Sequence, residues 1–393
     1  MKVCGIICEY NPFHNGHAYH IEKARENGAT HIVCAMSGNF VQRGDCAIAD
    51  KWSRAKAAIL SGADLVVEIP TPWACSSAEN FARGAVKLLS SLNIDMLSFG
   101  CETDDIFLLK NAAGAVSSDK IGDLVKKSIS SGYTYPDSLQ KAVCDVFGKE
   151  ISAVLSSPNN TLAVEYIRQK EKLNVDFELL PIKRYASLHN DSVAKNEVFA
   201  SASAIRAIDD IEKIKPFVKK AMFEELKLLY ANGLFPCRIN NAERAVIASL
   251  RSMTLENMKE YIFDDNGLAE RIYKKSRFAE TFEELVKAVK VKSITEAAVR
   301  RAVIRCFLNI PKETSVSNPP YIKILAANKN GFQILKERTP CLPVITKKAE
   351  ADRLSNQAKA IYYLECECTD KFSLLSKKIP GCSREQTSPI IVL

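Results

Sequence analysis

Cys8-Glu9-Tyr10-Asn11-Pro12-Phe13-His14-Asn15-Gly16-His17 decides how this chain is read. It follows the apolar run Val3 to Ile7, which has the composition of a first strand, and precedes Ala18 to Glu26, which has the pattern of a helix. A strand, a short polar turn with glycine, and a helix make an anion-binding corner. The N–H groups at the helix start lack intrahelical partners, and the helix dipole is positive there. His14 and His17 stand three residues apart across the turn, where both can face a phosphate, and Gly16 between them lets a ligand approach the backbone. The competing reading makes both histidines ordinary polar turn residues. His20, one turn past His17 on the same helix face, suits a structural role as well as a ligand contact.

Outward from that corner, residues 1–100 alternate regularly. Strands are expected at 3–8, 31–36, 64–69 and 95–99, with helices at 16–27, 51–60 and 76–89 between them. Such alternation implies right-handed βαβ units and a Rossmann-like α/β fold with a parallel sheet. These sheets bind ligands beyond the carboxyl ends of their strands, where strand order reverses. The polar residues do follow strand ends: Glu9 to His17, Ser37 to Gly44, Thr71 to Trp73, and Gly100.

The loop from Ser37 to Asp50 is longer than an ordinary βα connection, as lids and substrate loops are. Asn39, Gln42 and Arg43 in it suit hydrogen bonds to a nucleotide, a phosphate or a second substrate, unless the loop is a plain connection. Asp50 is placed to cap the next helix. Lys51 and Arg54 near its start oppose the dipole, so they face either a phosphate or solvent. Residues 103–148 read as a helical insertion without evident chemistry. Asn160 either starts a helix or reads an adenine or ribose edge. A strand at 177–182 leads into Lys183-Arg184-Tyr185, which aims Arg184 at the crevice. Ser201-Ala202-Ser203-Ala204-Ile205-Arg206 opens a further helix, with hydroxyls and Arg206 within one turn.

After Pro216 helical periodicity dominates to residue 310. The stretch 267–310 carries ten Lys/Arg against five Glu, and Arg301 and Arg305 lie one turn apart beside an apolar stripe. A basic helix suits an RNA backbone; a solvated charged face is the plainer reading. Strands near 321–326 and 342–345 and a helix at 347–365 form a small C-terminal α/β piece. The expected division is a nucleotide-binding domain at 1–212 and a mainly helical region at 213–393.

Composition bounds the answer. The chain has 393 residues, 47% hydrophobic and 25% charged, as in a soluble globular protein. No apolar run is long enough to span a bilayer, and the N-terminus lacks a signal-peptide pattern, so a cytoplasmic protein is expected. Thirteen cysteines include no C-x-x-C pair, which reads as reduced core thiols with no metal site. The net charge of +8 suits a phosphate-bearing partner.

His14-Asn15-Gly16-His17, the longer string Gly5 to His20, and Ser37-Gly38-Asn39-Phe40-Val41-Gln42-Arg43-Gly44 resemble the tRNA(Met) cytidine acetate ligase family, within the HxGH nucleotidyltransferase superfamily. The resemblance runs over the whole chain, most strongly to about residue 210. Ser201 to Arg206 resembles the superfamily's I-S-x-T-x-x-R element, with Ser203 in place of Thr and Ala200 in place of Ile. The resemblance implies an ATP-dependent ligase in which acetate attacks ATP to give acetyl-adenylate. The N4 of the wobble cytidine of elongator tRNA(Met) then takes the acetyl group, giving N4-acetylcytidine, AMP and pyrophosphate. It implies ATP contacts at Ile7, Cys8, Glu9, Tyr10, Asn11, Pro12, Phe13, His14, Asn15, Gly16, His17, His20, Gly100, Asn160, Arg184, Ser201, Ser203 and Arg206. His14 and His17 would be catalytic, Mg²⁺ would be held mainly by phosphates, and Arg301 and Arg305 would bind tRNA. Tyr10, Phe13 and Trp73 are candidate walls of a small acyl pocket, and no obligate protein partner is evident. The rivals are an adenylyltransferase acting on a phosphorylated small molecule and an RNA-binding protein without turnover; the intact histidine pair argues against the second.

Overall fold

The computed structural model describes residues 1–184, 199–263 and 267–393; Tyr185 lies outside them. Strand β1 (Val3–Cys8) is buried along its whole length and leads through the histidine turn into α1 (Asn15–Glu26). Strand β2 (His31–Ser37) ends in a long loop carrying the small hairpin of β3 (Phe40–Val41) and β4 (Asp45–Cys46). Helix α2 (Lys51–Leu60), capped by Asp50, returns to β5 (Leu65–Ile69). Then come α3 (Thr71–Ala74), α4 (Ala78–Ser91) and β6 (Met96–Cys101). The insertion forms α5 (Ile106–Ser117), α6 (Asp119–Ser130), α7 (Tyr135–Phe147) and α8 (Lys149–Val154). Helix α9 (Pro158–Lys172), β7 (Glu178–Lys183) and the short α10 (Ala202–Arg206) follow.

The helical region comprises α11 (Lys220–Ala231), α12 (Glu243–Ser252), α13 (Leu255–Tyr261), α14 (Leu268–Ser276), α15 (Phe282–Val289) and α16 (Glu296–Leu308). The chain closes with β8 (Ile322–Ala327), α17 (Lys329–Arg338), β9 (Val344–Ile345), α18 (Lys348–Ala351), α19 (Asn356–Ser373), α20 (Arg384–Thr387) and β10 (Ile391–Val392).

The sheet runs β10-β8-β5-β2-β1-β6-β7, with β9 beside β8. Strands β5, β2, β1, β6 and β7 are mutually parallel. The chain leaves β1 toward β2 and β5, then returns to β6 on the other side of β1. Strand order therefore reverses between β1 and β6, and a crevice opens beyond their carboxyl ends. Both sheet faces are covered, which is why these strands read as continuous apolar runs. Alternate residues of one strand enter different cores: Val3 and Ile7 pack with Val33, Trp73 and α4, whereas Cys4, Ile6 and Cys8 pack with Tyr10, Phe13 and α2.

The sheet crosses the expected division at 212/213. Strand β8 pairs antiparallel with β5, Leu65 opposite Ala327, and β10 pairs with β8, so the C-terminal α/β piece completes the N-terminal sheet. All six residues of β8 are buried: five are apolar, and the sixth, Lys323, is paired with Glu385. Helices α12–α16 enclose a third core, which also takes in Phe40 and Cys46 from the loop after β2. Ten of the thirteen cysteines are buried free thiols, and burial pushes Cys4 up to about 12. Among the described residues, no helix is long and apolar enough to cross a membrane.

Candidate active site

Helix α1 begins with a cap made of two imidazoles. His14 Nδ1 accepts from the Gly16 N–H at 3.1 Å, and His17 Nδ1 accepts from the His14 N–H at 3.2 Å. This is the reciprocal geometry of a capping box, formed by histidines instead of Ser and Glu. The rings stack with centroids 3.6 Å apart and planes 19° apart. Because each Nδ1 is an acceptor, each neutral ring carries its proton on Nε2. Burial, then the charge of Arg184, pushes His14 down to about 4. Burial also pushes His17 well below the usual histidine range, with His14 and Arg184 adding to it. The pair therefore presents two uncharged N–H donors at neutral pH.

Tyr10 and Phe13 support the pair from beneath, with ring centroids 4.8 and 5.7 Å from that of His17. The Tyr10 hydroxyl meets Cys34 Sγ at 3.3 Å. His20 joins α1 to β6 through Ser98 Oγ at 2.8 Å, and burial takes its pKa down to about 4. Ile7, Cys8, Tyr10 and Phe13 are buried core side chains. Asn11 Oδ1 accepts from the Ile48 N–H at 2.8 Å, Pro12 is buried beside it, and Asn15 Nδ2 donates to the Pro216 carbonyl at 3.0 Å. Glu9 is half-buried, its Oε1 accepts from the Gln42 N–H at 2.9 Å, and burial raises its pKa.

The later residues converge on the same corner. Arg184, at the end of β7, lies against Gly100: a Cβ there would sit 3.4 Å from Arg184 Cγ. Its charge depresses His14, His17 and His20 together. Arg206 Nη1 donates to the Asn11 carbonyl at 2.9 Å, bringing α10 onto the histidine turn. Ser201 caps α10 through the Ala204 N–H at 3.2 Å, and its hydroxyl lies 3.1 Å from that of Ser203, both residues being exposed. Asn160 is buried, and its Oδ1 accepts from the N–H groups of Glu102 at 2.8 Å and Thr103 at 3.2 Å. That carbonyl oxygen fixes the turn after β6 and orients the Asn160 side chain at the carboxyl end of the sheet.

A family model described as HIGH Nucleotidyl Transferase matches residues 1–387. A Thermoanaerobacter sp. (strain X514) protein named tRNA(Met) cytidine acetate ligase is 37% identical, over 100% of both chains. One of the same name from Caldicellulosiruptor saccharolyticus is 37% identical over 88% of this chain and 87% of its own. The chain belongs to the tRNA(Met) cytidine acetate ligase family. Its fold also matches a crystal structure of Thermotoga maritima TmcAL bound with alpha-thio ATP, with a TM-score of 0.91, 27% identity and full coverage of both chains. The apo form of that protein gives a TM-score of 0.92 at 27% identity.

Several candidates for the ligase site prove to be internal. Arg305, expected to meet tRNA, is 2% exposed. Its guanidinium donates to the carbonyls of Tyr261 at 3.1 Å, Pro72 at 3.3 Å and Pro311 at 2.7 Å, so it joins segments of the fold and is closed to an RNA backbone. Arg301 is half-buried and donates to the Gln42 carbonyl at 3.2 Å, which ties α16 to the loop after β2. Lys51 and Arg54 face neither phosphate nor solvent; both are fully buried. Asn39 is likewise internal, its Oδ1 accepting from the Lys51 N–H at 3.0 Å. Trp73 belongs to the opposite core from Tyr10 and Phe13, and its indole N–H donates to the Ser317 carbonyl at 2.8 Å, so these three do not wall one pocket.

Sequence reading missed a buried ion network. Lys51 Nζ pairs with Glu68 and, at 2.7 Å, with Glu385. Glu385 also takes Lys323 and, at 2.7 Å, the Thr369 hydroxyl. Glu365 accepts from both the N–H and the hydroxyl of Thr71, at 2.7 and 2.6 Å. The one available signal was the pair of cations placed against the α2 dipole.

Proposed function

We propose that this chain is an ATP-dependent ligase that activates acetate as acetyl-adenylate and transfers the acetyl group to N4 of the wobble cytidine of elongator tRNA(Met). The observation carrying this reading is the stacked, neutral His14/His17 pair at the start of α1, at the point where strand order reverses. Two Nε2–H donors and the helix start would receive the ATP phosphates, with Arg184 and Arg206 supplying positive charge. An acetate oxygen attacks the α-phosphorus in line and pyrophosphate leaves. The cytidine N4 then attacks the acetyl carbonyl, loses a proton, and AMP leaves. Both steps need placement and charge neutralisation and no covalent enzyme intermediate.

Mg²⁺ fits as an ion held by phosphates and water, because the corner offers imidazoles and guanidiniums, and Glu9 is already engaged by Gln42. For tRNA, the reading moves from Arg305 to exposed cations of the helical region, such as Arg271, Lys274 and Lys275 on α14. The test measures AMP released from ATP with and without acetate and with and without tRNA, followed by nucleoside analysis of the tRNA. AMP that needs both, together with N4-acetylcytidine in the digest, is expected. AMP formation indifferent to both would refute the ligase reading and favour an adenylyltransferase of a phosphorylated small molecule.

A further inference from the structure

Arg54 on α2 is fully buried, and among the described residues every hydrogen bond it donates goes to a backbone carbonyl. Nη1 donates to Glu9 at 2.6 Å and to Ser37 at 3.2 Å. Nη2 donates to Gly38, and Nε to Ala49 at 3.0 Å. These four acceptors lie at the exit of β1, the exit of β2 and the end of the long loop. Burial pushes the guanidinium down to about 10, so it stays charged at neutral pH. A lysine has three donors on one atom and cannot reproduce a planar fork reaching three segments.

The carbonyl held at Glu9 begins the six-residue run from Glu9 to His14. The same run is braced elsewhere by Ile48 N–H on Asn11 and by Arg206 on the Asn11 carbonyl. Helix α2, which carries Arg54, is itself anchored by Lys51 to Glu68 on β5 and Glu385 on α20. The fork thus relates the histidine turn to the rigid sheet on one side and to the loop after β2 on the other.

We propose that Arg54 is a positioning residue: its guanidinium sets the spacing between the exits of β1 and β2, and so places the His14/His17 donors for reaction at the α-phosphate. This rests on the ligase reading above. It goes further in assigning a kinetic role to a residue that touches no substrate.

The test is acetate-dependent exchange of pyrophosphate into ATP by Arg54→Lys and Arg54→Gln, with thermal melts and ATP titrations on the same samples. A displacement of about 1 Å in a reacting group lowers turnover about 100-fold. The expected result is a folded variant, in at least one of the two, whose kcat falls by about that factor while KM for ATP rises by less than about tenfold. A purely structural arginine would lower the melting temperature and leave kcat of the folded fraction unchanged, and that result overturns the proposal. Failure of both variants to fold assigns Arg54 to the core alone and also overturns it. His17→Asn, assayed in parallel, separates the two levels: if it too is fully active, the phosphate-site reading has failed and not merely the role of Arg54.

Discussion

The two nitrogens of His17 have different jobs, and substitution separates them. Nδ1 accepts from the His14 N–H at 3.2 Å and closes the α1 cap, while Nε2 carries the proton assigned to the phosphates. Asparagine places an acceptor at the δ position and nothing at ε; glutamine places an N–H at ε. His17→Asn should therefore keep most of the cap, whose loss costs about 1 kcal/mol. It should lose the donor, whose removal costs about 10²–10³ in kcat, or roughly 3–4 kcal/mol of transition-state stabilisation. His17→Gln should recover at least about tenfold of that loss, because only the donor geometry is imperfect. His17→Ala should lose both cap and donor. The assay is acetate-dependent pyrophosphate exchange at saturating ATP, with a thermal melt on each variant. Since His17 is already neutral in the free protein, the ranking should be the same at pH 7 and pH 8.5. His17→Asn within a factor of about three of the parent, with intact folding, would refute the donor assignment.

Three other outcomes follow from the same geometry. Lys51→Met leaves buried carboxylates with one lysine fewer, which should cost about 3–5 kcal/mol and lower the melting temperature by up to about 10 °C. Glu365 is already raised by burial and by Glu68; a raised carboxyl binds its proton in the folded state first, so the deficit should be larger at pH 8 than at pH 5 in melts at both. Gly44→Ala should destabilise by about 1–3 kcal/mol in melts, because Gly44 has a φ of +74° and a Cβ there would collide with the backbone nitrogen of Arg301. His20 is held near 4 in the folded chain, against about 6.5 when unfolded, so the unfolded state takes up a proton first as pH falls and stability drops between those values. His20→Gln, which keeps a polar partner for Ser98, should accordingly lose less melting temperature than the parent between pH 7 and pH 5.

The parts of this protein legible in sequence are those set by neighbours along the chain. Strands β1, β2 and β5 were readable because a parallel sheet covered on both faces demands unbroken apolar runs, and the cap at Asp50 because a cap is local by definition. The histidine corner was readable because strand, turn and helix are contiguous. The pairing of β8 with β5 was not, since its partner is some 260 residues away and its register depends on burial that no local pattern encodes. Asn160 shows the intermediate case: its place at the start of α9 was legible, but its acceptors' donors, on the turn after β6, were not.

Lys51, Arg54 and Arg305 mark where local reasoning gives the wrong sign. A cation in the first turn of a helix, or beside an apolar stripe, suggests an external anion because burying it unpaired would cost several kcal/mol, of the order of 3–5. That inference assumes no internal partner. Here the partners are Glu385, 334 residues from Lys51, and backbone carbonyls contributed by strand exits and turns, which have no sequence signature at all. The consequence bears on function. Cations that looked like ligand contacts instead hold together the loops presenting the ligand contacts, and the guanidinium charge reaching all three histidines is that of Arg184, with Arg206 also acting on His14. A buried guanidinium bonded only to carbonyls is thus better evidence for a placed active-site loop than for a binding residue, and Arg54 is where that distinction can be measured.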